Sequence, residues 1–326
     1  MTFVTFSFRT ILFVLIFITL NCFSARCQKV YSKETKQSGT INLSTRVQIP
    51  KINNGYTIWL PETEKIKGLI VFIHPRRDTV NTDKLIDYAL QKDLAVIYTS
   101  TNNRLEFFFE ENKMEEVLSY IQAAIDQFNI PKQNILYCGM SLEGTRVLKL
   151  AMHVKSGKSE YNILPKGIVV CDSPLDMYRF YHACQKAEEL KFHPVAANEG
   201  EWVSGYLTKN LGEDPETSKA EYIRYSPFSA HQTNGGNAKY FAEIPIRAYT
   251  EPDINWWLEN RGQDYYGMNA IDMAGFINQL KLQGNKLAQL VVTENKGVLP
   301  NGSRHPHSWS IVDEKEMIRW FISLNY

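Results

Sequence analysis

The chain has 326 residues, 44% of them hydrophobic, and its 36 basic and 35 acidic side chains nearly cancel to a formal net charge of +1. It is long enough to bury one large core, close to the upper size for a single catalytic domain. The near-neutral charge excludes the electrostatic attraction that draws basic proteins to nucleic acid or to anionic membranes.

The first 27 residues have the pattern of a secretory signal peptide. Arg9 precedes the apolar run 11–20, and small or polar residues lead to Cys27. The run is too short for a comfortable membrane span, which needs about twenty apolar residues. We therefore expect cleavage after Cys27, export to the periplasm or the medium, and a mature chain without a stable membrane span. Arg26 makes a lipid anchor the weaker alternative, and a retained N-terminal anchor stays open.

The next elements alternate between strands and helices. An antiparallel hairpin is predicted from 40–49 and 56–60, and the rest are a buried strand at 68–74, a helix at 83–92, a strand at 94–98 and a helix at 110–128. Strands that alternate with helices of this length favour a mostly parallel sheet.

Ser141 lies on a sharp turn between the next strand, 134–138, and the next helix, 145–152. Gly139 and Gly144 flank it and let neighbouring elements approach a strained residue closely. Such a turn holds a hydroxyl at a helix N-terminus, which suits a nucleophile, although a serine after a strand can also be a simple helix cap.

The second half of the chain contains a long insertion. About seventy residues separate the strands 167–171 and 244–249, and within the segment 174–241 we predict helices at 176–190 and 200–211 and a return segment at 215–231. Connections of this length are uncommon and are often functional. A last strand at 288–293 and a last helix at 312–324 complete the pattern.

A serine nucleophile needs a base, which is usually a histidine oriented by a carboxylate. His305 and His307 lie in the polar loop 300–309, between the last strand and the last helix. We favour His307, because His305 precedes Pro306 and is biased to an extended backbone.

Two carboxylates that follow a predicted strand are candidates for the acid that orients the histidine. Asp253 follows the strand 244–249 by four residues, and Glu251 is the alternative, although it precedes Pro252 and is less free to turn inward. Ordinary turn chemistry is the other explanation of Asp253.

The chain order Ser141, Asp253, His307, with each residue after a predicted strand, resembles the α/β-hydrolase superfamily. The resemblance covers the chain from about Val47 to the C-terminus. It implies an α/β fold with a mostly parallel eight-stranded sheet flanked by helices, a helical cap formed by the insertion, and a site at the carboxyl ends of the strands.

The same resemblance implies an oxyanion hole. His74-Pro75-Arg76 stands where many members have His-Gly-Gly, so the donors would be the backbone N–H groups of Arg76 and Leu142. Pro75 departs from that pattern.

Glu143 is a second departure, because the usual motif has a glycine there. It either stabilises the first helical turn or points into the pocket, where its charge would raise the pKa of the base and disfavour anionic substrates. Trp256 and Trp257 share the loop of Asp253 and are predicted to bind substrate, with anchoring of that loop as the alternative.

The sequence thus predicts an exported serine hydrolase that cleaves a carboxylic ester, either a small ester or an acylated carbohydrate, through an acyl-enzyme. A serine peptidase of the same fold and a binding protein without turnover are the alternatives. No spacing of cysteine and histidine indicates a metal and no glycine-rich loop indicates a nucleotide cofactor. Cys138, Cys171 and Cys184 are expected to be buried free thiols.

Overall fold

The computed structural model describes residues 29–43, 47–75 and 80–324. The predicted signal peptide, residues 1–27, lies outside the described residues. The strands are β1 (Lys29–Thr35), β2 (Thr40–Asn42), β3 (Gln48–Pro50), β4 (Asn54–Leu60), β5 (Gly68–Phe72), β6 (Leu94–Ser100), β7 (Ile135–Met140), β8 (Gly167–Cys171), β9 (Ile246–Thr250) and β10 (Ala288–Val292). The helices are α1 (Val80–Leu90), α2 (Glu111–Phe128), α3 (Leu142–Lys155), α4 (Met177–Leu190), α5 (Pro194–Leu211), α6 (Lys219–Tyr225), α7 (Ile254–Arg261), α8 (Ala270–Leu282) and α9 (Glu314–Ser323).

Eight strands form one sheet in the order β1-β4-β6-β5-β7-β8-β9-β10. From β6 to β10 neighbouring strands run parallel, while β4 is antiparallel to both β1 and β6. Every residue of β5, β6 and β8 is buried, as expected for parallel strands covered on both faces. The predicted eight-stranded, mostly parallel sheet is therefore confirmed.

The predicted opening hairpin is wrong in its pairing. Residues 40–49 do not pair with 56–60; β2 and β3 pair with each other in a separate two-stranded sheet, and β4 pairs with β1. All but one of the residues of β1 are exposed. Because the strand buries no face, its sequence has no alternation of apolar and polar residues from which it could be predicted. Lysine and glutamate side chains on such an edge strand discourage pairing with other chains.

Helices cover both faces of the sheet. On one face α2, α3 and α8 contribute to a core that includes Leu118, Leu148 and Phe276. On the other face α1 and α9 pack against the sheet through Leu85 and Phe321. This three-layer arrangement leaves the carboxyl ends of the parallel strands at one edge, where the loops that follow them meet.

The segment between β8 and β9 is helical. Its helices α4, α5 and α6 form a separate cluster around Tyr181, Tyr206 and Tyr222, which also contains Ile49 and Phe107. Helices α4 and α5 touch closely, because a Cβ atom on Gly200 would lie 2.2 Å from the carbonyl oxygen of Cys184. Helix α5 begins six residues earlier than predicted, since the His193 side chain accepts a hydrogen bond from the Val195 N–H at the helix start.

Within residues 29–43, 47–75 and 80–324 no helix is long and apolar enough to cross a membrane. Cys138, Cys171 and Cys184 are buried free thiols, as predicted.

Candidate active site

Ser141 occupies a strained turn between β7 and α3. Its backbone angles are φ 54° and ψ −128°, which place a non-glycine residue in a sparsely populated region. Its N–H donates to the Cys171 carbonyl at 2.8 Å, so the turn is tied to the end of β8. Strain of this kind persists where the surrounding structure enforces it, and it presents the serine side chain at the first turn of a helix.

The two glycines of the turn are required by close contacts. A Cβ atom on Gly139 would lie 2.3 Å from the carbonyl oxygen of Glu143, and one on Gly144 would lie 1.9 Å from Ser173 Oγ. The second close approach thus falls at Gly144, one residue later than in the usual motif, and position 143 is left free to carry a side chain.

Asp172, which follows β8 directly, is the carboxylate that holds His307. Its Oδ2 lies 2.6 Å from His307 Nδ1, and its Oδ1 accepts a hydrogen bond from Thr250 Oγ1 at 3.2 Å. Asp172 is buried and has φ 43°, a second left-handed residue at the site. The hydrogen bond to Asp172 leaves the other ring nitrogen of His307 available as a base.

Asp253 does not take that place. It is the N-cap of α7, accepting from the Trp256 N–H at 3.1 Å, and its Oδ2 accepts from Arg304 Nη2 at 2.7 Å. The prediction that Asp253 orients His307 is therefore corrected to Asp172. Both acids follow strands that end at the same sheet edge, so strand order alone does not separate them. The signal for Asp172 in the sequence is that it follows a fully apolar strand without any intervening residue.

Glu251, the alternative acid, is a buried clamp for the histidine loop. One carboxylate oxygen pairs with Arg304 Nη2 at 2.6 Å and accepts from the Gly297 N–H at 3.0 Å. The other accepts from Thr293 Oγ1 at 2.8 Å and from the Lys296 N–H at 3.0 Å. The acidic pair after β9 thus stabilises the loop that carries His307 and does not contact the imidazole.

The pKa of His307 is raised above its ordinary value. Burial by itself lowers the pKa, but the hydrogen bond and the charge of Asp172, followed by the charges of Glu199 and Glu143, outweigh burial. The expected influence of Glu143 on the base is thus present in the structure. Among the described residues no hydrogen bond joins Ser141 Oγ to His307, and such bonds are often long in unliganded sites.

His305 is unsuited to the role of base. Burial, then the neighbouring charges of His307 and Arg261, lower its pKa to about 4. Its ring lies 4.7 Å from that of Trp256, and its Nε2 is 3.2 Å from Arg261 Nη2. A neutral imidazole in this contact supports the loop.

Trp256 and Trp257 lie beside the histidine loop. Their ring centroids are 5.3 Å apart, and the Trp257 ring is 6.4 Å from that of His307. Their ring contacts to His305 are those of an anchor for the loop, the alternative that the sequence left open. Neither ring lines the cavity described below.

Of the two predicted oxyanion donors, Leu142 is the first residue of α3. Its N–H is one of the helix-start donors that have no acceptor within the helix. Arg76 lies outside the described residues.

A cavity of about 360 Å³ opens beside the serine turn. Met140 and Glu143, on either side of Ser141 and Leu142, line it together with His307, and it continues between β5, β6, α1 and the start of α9. In the described ranges no group of three or more histidine, cysteine, aspartate or glutamate side chains could hold a metal ion.

Solved structures that are similar to this chain include hydrolases. A carboxyl esterase from the fungus Tuber melanosporum matches with a TM-score of 0.52 and 13% identity, over 92% of this chain and 85% of its own. A puromycin-hydrolyzing peptidase from Mycobacterium tuberculosis matches with a TM-score of 0.53 and 14% identity, over 89% of this chain and 38% of its own. An acylaminoacyl peptidase matches with a TM-score of 0.51 and 13% identity, over 94% and 41%.

The chain therefore spans less than half the length of either peptidase. No family model matches the sequence, and no curated protein matches it. The order of the sheet, the serine turn at its carboxyl edge and these structural matches agree: the chain has the α/β-hydrolase fold.

Proposed function

We propose that the protein is a serine hydrolase that cleaves carboxylic esters through an acyl-enzyme on Ser141. The observation that carries the proposal is the hydrogen bond between the buried Asp172 and the partly buried His307. Asp172 follows Cys171, whose carbonyl accepts a hydrogen bond from the N–H of the strained Ser141. A nucleophile, a base and a carboxylate that orients the base are the three groups required for acyl transfer.

In the first half-reaction Ser141 Oγ attacks the ester carbonyl carbon while His307 Nε2 takes the hydroxyl proton. The carbonyl oxygen becomes an oxyanion, to which the Leu142 N–H at the start of α3 donates. The resulting imidazolium is stabilised by Asp172 and then gives its proton to the leaving alkoxide, so an alcohol departs and the acyl group stays on Ser141.

In the second half-reaction water replaces the alcohol. His307 removes a proton from the water as it attacks the acyl carbon, and the same proton returns to Ser141 Oγ as the acid is released. The raised pKa of His307 favours proton uptake. The acidic limb of the kcat/KM profile should therefore lie above the ordinary pKa of histidine.

An ester is favoured over a peptide bond because the structural likeness extends over nearly the full length of the fungal carboxyl esterase and over less than half of each peptidase. Export rests on the signal pattern in residues 1–27. N-terminal sequencing of the secreted protein would test it, with Gln28 expected as the first residue.

Intact-mass analysis after treatment with a fluorophosphonate tests the serine mechanism. We expect one adduct on the wild type and none on Ser141→Ala or His307→Ala. In a separate assay, the untreated wild type should hydrolyse p-nitrophenyl esters. Loss of the adduct in both folded variants supports the proposal. A folded wild type that takes up no adduct would instead favour a binding protein of the same fold, and faster cleavage of aminoacyl p-nitroanilides than of esters would favour a peptidase.

A further inference from the structure

The cavity beside Ser141 has aromatic walls. The Phe72 and Tyr98 rings stack with centroids 4.9 Å apart and planes 9° apart, and the Trp309 ring meets Phe72 edge to face at 5.6 Å. His74 lies 5.2 Å from the Tyr98 ring. All four residues line the cavity, so its wall contains several aromatic rings.

Two carboxylic acids line the same cavity. Glu143 lies in the first turn of α3, two residues after Ser141, and Glu314 is the first residue of α9. Glu314 is connected to the aromatic wall, because Trp309 Nε1 donates to its Oε1 at 2.9 Å. The described residues that line the cavity include no lysine or arginine.

We propose that this cavity binds a cationic ammonium group of the substrate, held against the Phe72, Tyr98 and Trp309 rings and paired with Glu314. The inference rests on the proposed esterase activity and adds the substrate class, an ester that carries an alkylammonium group. Aromatic faces attract cations through the ring quadrupole, and the attraction grows when the cation loses water. A carboxylate beside such rings adds an opposite charge.

The protonation of Glu314 is consistent with this assignment. Burial raises the pKa of Glu314 to about 7, and Asp313 adds to the rise, while the hydrogen bond from Trp309 and the charge of Lys84 act in the opposite direction. A bound ammonium favours the ionised carboxylate, so cation binding and ionisation of Glu314 reinforce each other.

The test compares three p-nitrophenyl esters with acyl chains of the same length: 6-aminohexanoate, heptanoate and the monoester of adipate. They end in an ammonium, a methyl and a carboxylate group. At pH 8 we expect kcat/KM of the wild type to be about tenfold higher for the ammonium ester than for the methyl ester, and lowest for the carboxylate ester. Glu314→Gln should reduce the ammonium preference, taken as the ratio of kcat/KM for the ammonium ester to kcat/KM for the methyl ester in the same variant, to near one.

Glu316→Gln is the matched control. It makes the same substitution on the same helix, at a residue that pairs with Arg247 and does not line the cavity. The ammonium preference should stay at its wild-type value in this variant. Equal rates for the ammonium and methyl esters, a preference for the carboxylate ester, or a preference that survives Glu314→Gln would each overturn the inference.

A binding measurement separates this inference from the proposed function. Calorimetry with n-hexylammonium, beside the neutral n-hexanol, should show tighter binding of the cation to the wild type and no such difference in Glu314→Gln. If the fluorophosphonate adduct forms but the cation has no advantage, the serine mechanism holds and the substrate class is wrong. If the cation binds but no adduct forms, the cavity assignment holds and the mechanism fails.

Discussion

Replacing Asp172 with asparagine should nearly abolish turnover while leaving the fold intact. The carboxylate is buried, accepts from His307 Nδ1 at 2.6 Å and from Thr250 Oγ1 at 3.2 Å, and is the main stabiliser of the charged imidazole. An asparagine of the same shape keeps one oxygen for the ring N–H but has no charge. The imidazolium that forms during acylation then lies in a partly buried site without its counter-charge.

The expected loss of kcat follows from the interactions with His307 that Asp172→Asn removes. A charge-assisted hydrogen bond is about twice as strong as a neutral one, and a wrong imidazole tautomer removes the base altogether. We expect kcat to fall by about 10²- to 10⁴-fold, which corresponds to roughly 3–5 kcal/mol of transition-state stabilisation. The acidic limb of the kcat/KM profile should also move to lower pH, because Asp172 is the group that raises the pKa of His307.

Asp253→Asn is the paired variant. Asparagine also caps helices, so the bond to the Trp256 N–H survives, and Glu251 continues to hold Arg304. The kcat for hydrolysis of a p-nitrophenyl ester should change by less than about threefold. Such a change corresponds to well under 1.36 kcal/mol, the free energy of a tenfold change in rate. Circular dichroism and thermal melts of both variants report whether each is folded. A folded Asp172→Asn variant with full activity, beside an inactive Asp253→Asn, would refute the assignment of the acid.

Three further variants are predicted. Glu143→Gln removes one of the charges that raise the pKa of His307, so the acidic limb of kcat/KM should move to lower pH, by less than in Asp172→Asn; an unmoved limb would show that the charge does not reach the base. Glu251→Gln puts an amide among groups that all donate to the carboxylate, including Arg304, so urea unfolding should show a loss of about 2–4 kcal/mol. Glu314 has a pKa of about 7 when folded against 4.5 as its ordinary value, so only the folded state holds the proton between these values and wild-type stability falls as pH rises through 7. The free energy of unfolding of Glu314→Gln relative to wild type, from urea unfolding, should therefore increase from pH 5 to pH 8 by up to roughly 3 kcal/mol before allowance for the partial exposure of Glu314. A constant difference would contradict the raised pKa.

Most of the fold could be predicted from the sequence because the buried strands are continuous apolar runs. Strands such as 167–171 were located to the residue, since a parallel strand covered on both faces must be apolar throughout. The first strand, Lys29–Thr35, could not be found in this way. It lies at the sheet edge with all but one of its residues exposed. Backbone hydrogen bonds to β4 and the ring of Tyr31, which contacts Tyr56 and Phe128, hold it there.

The serine turn and the histidine loop could be predicted from local sequence. Strand–Gly–x–Ser–helix is a local pattern whose geometry depends on neighbouring residues, and the bias of His305 before Pro306 is local as well. Those features appear in the structure as the φ of 54° at Ser141 and as the support role of His305.

The packing of distant elements sets which acid meets His307 and where Glu143 and Glu314 lie. Asp172 and Asp253 both follow strands of one sheet edge, and the choice depends on how the loop 300–309 crosses that edge, which Glu251 and Arg304 control through contacts between distant parts of the chain. The cavity likewise joins residues from β5, β6, α3 and α9. Local propensity acts over a few residues, whereas a site assembled from several elements is set by the packing that brings them together.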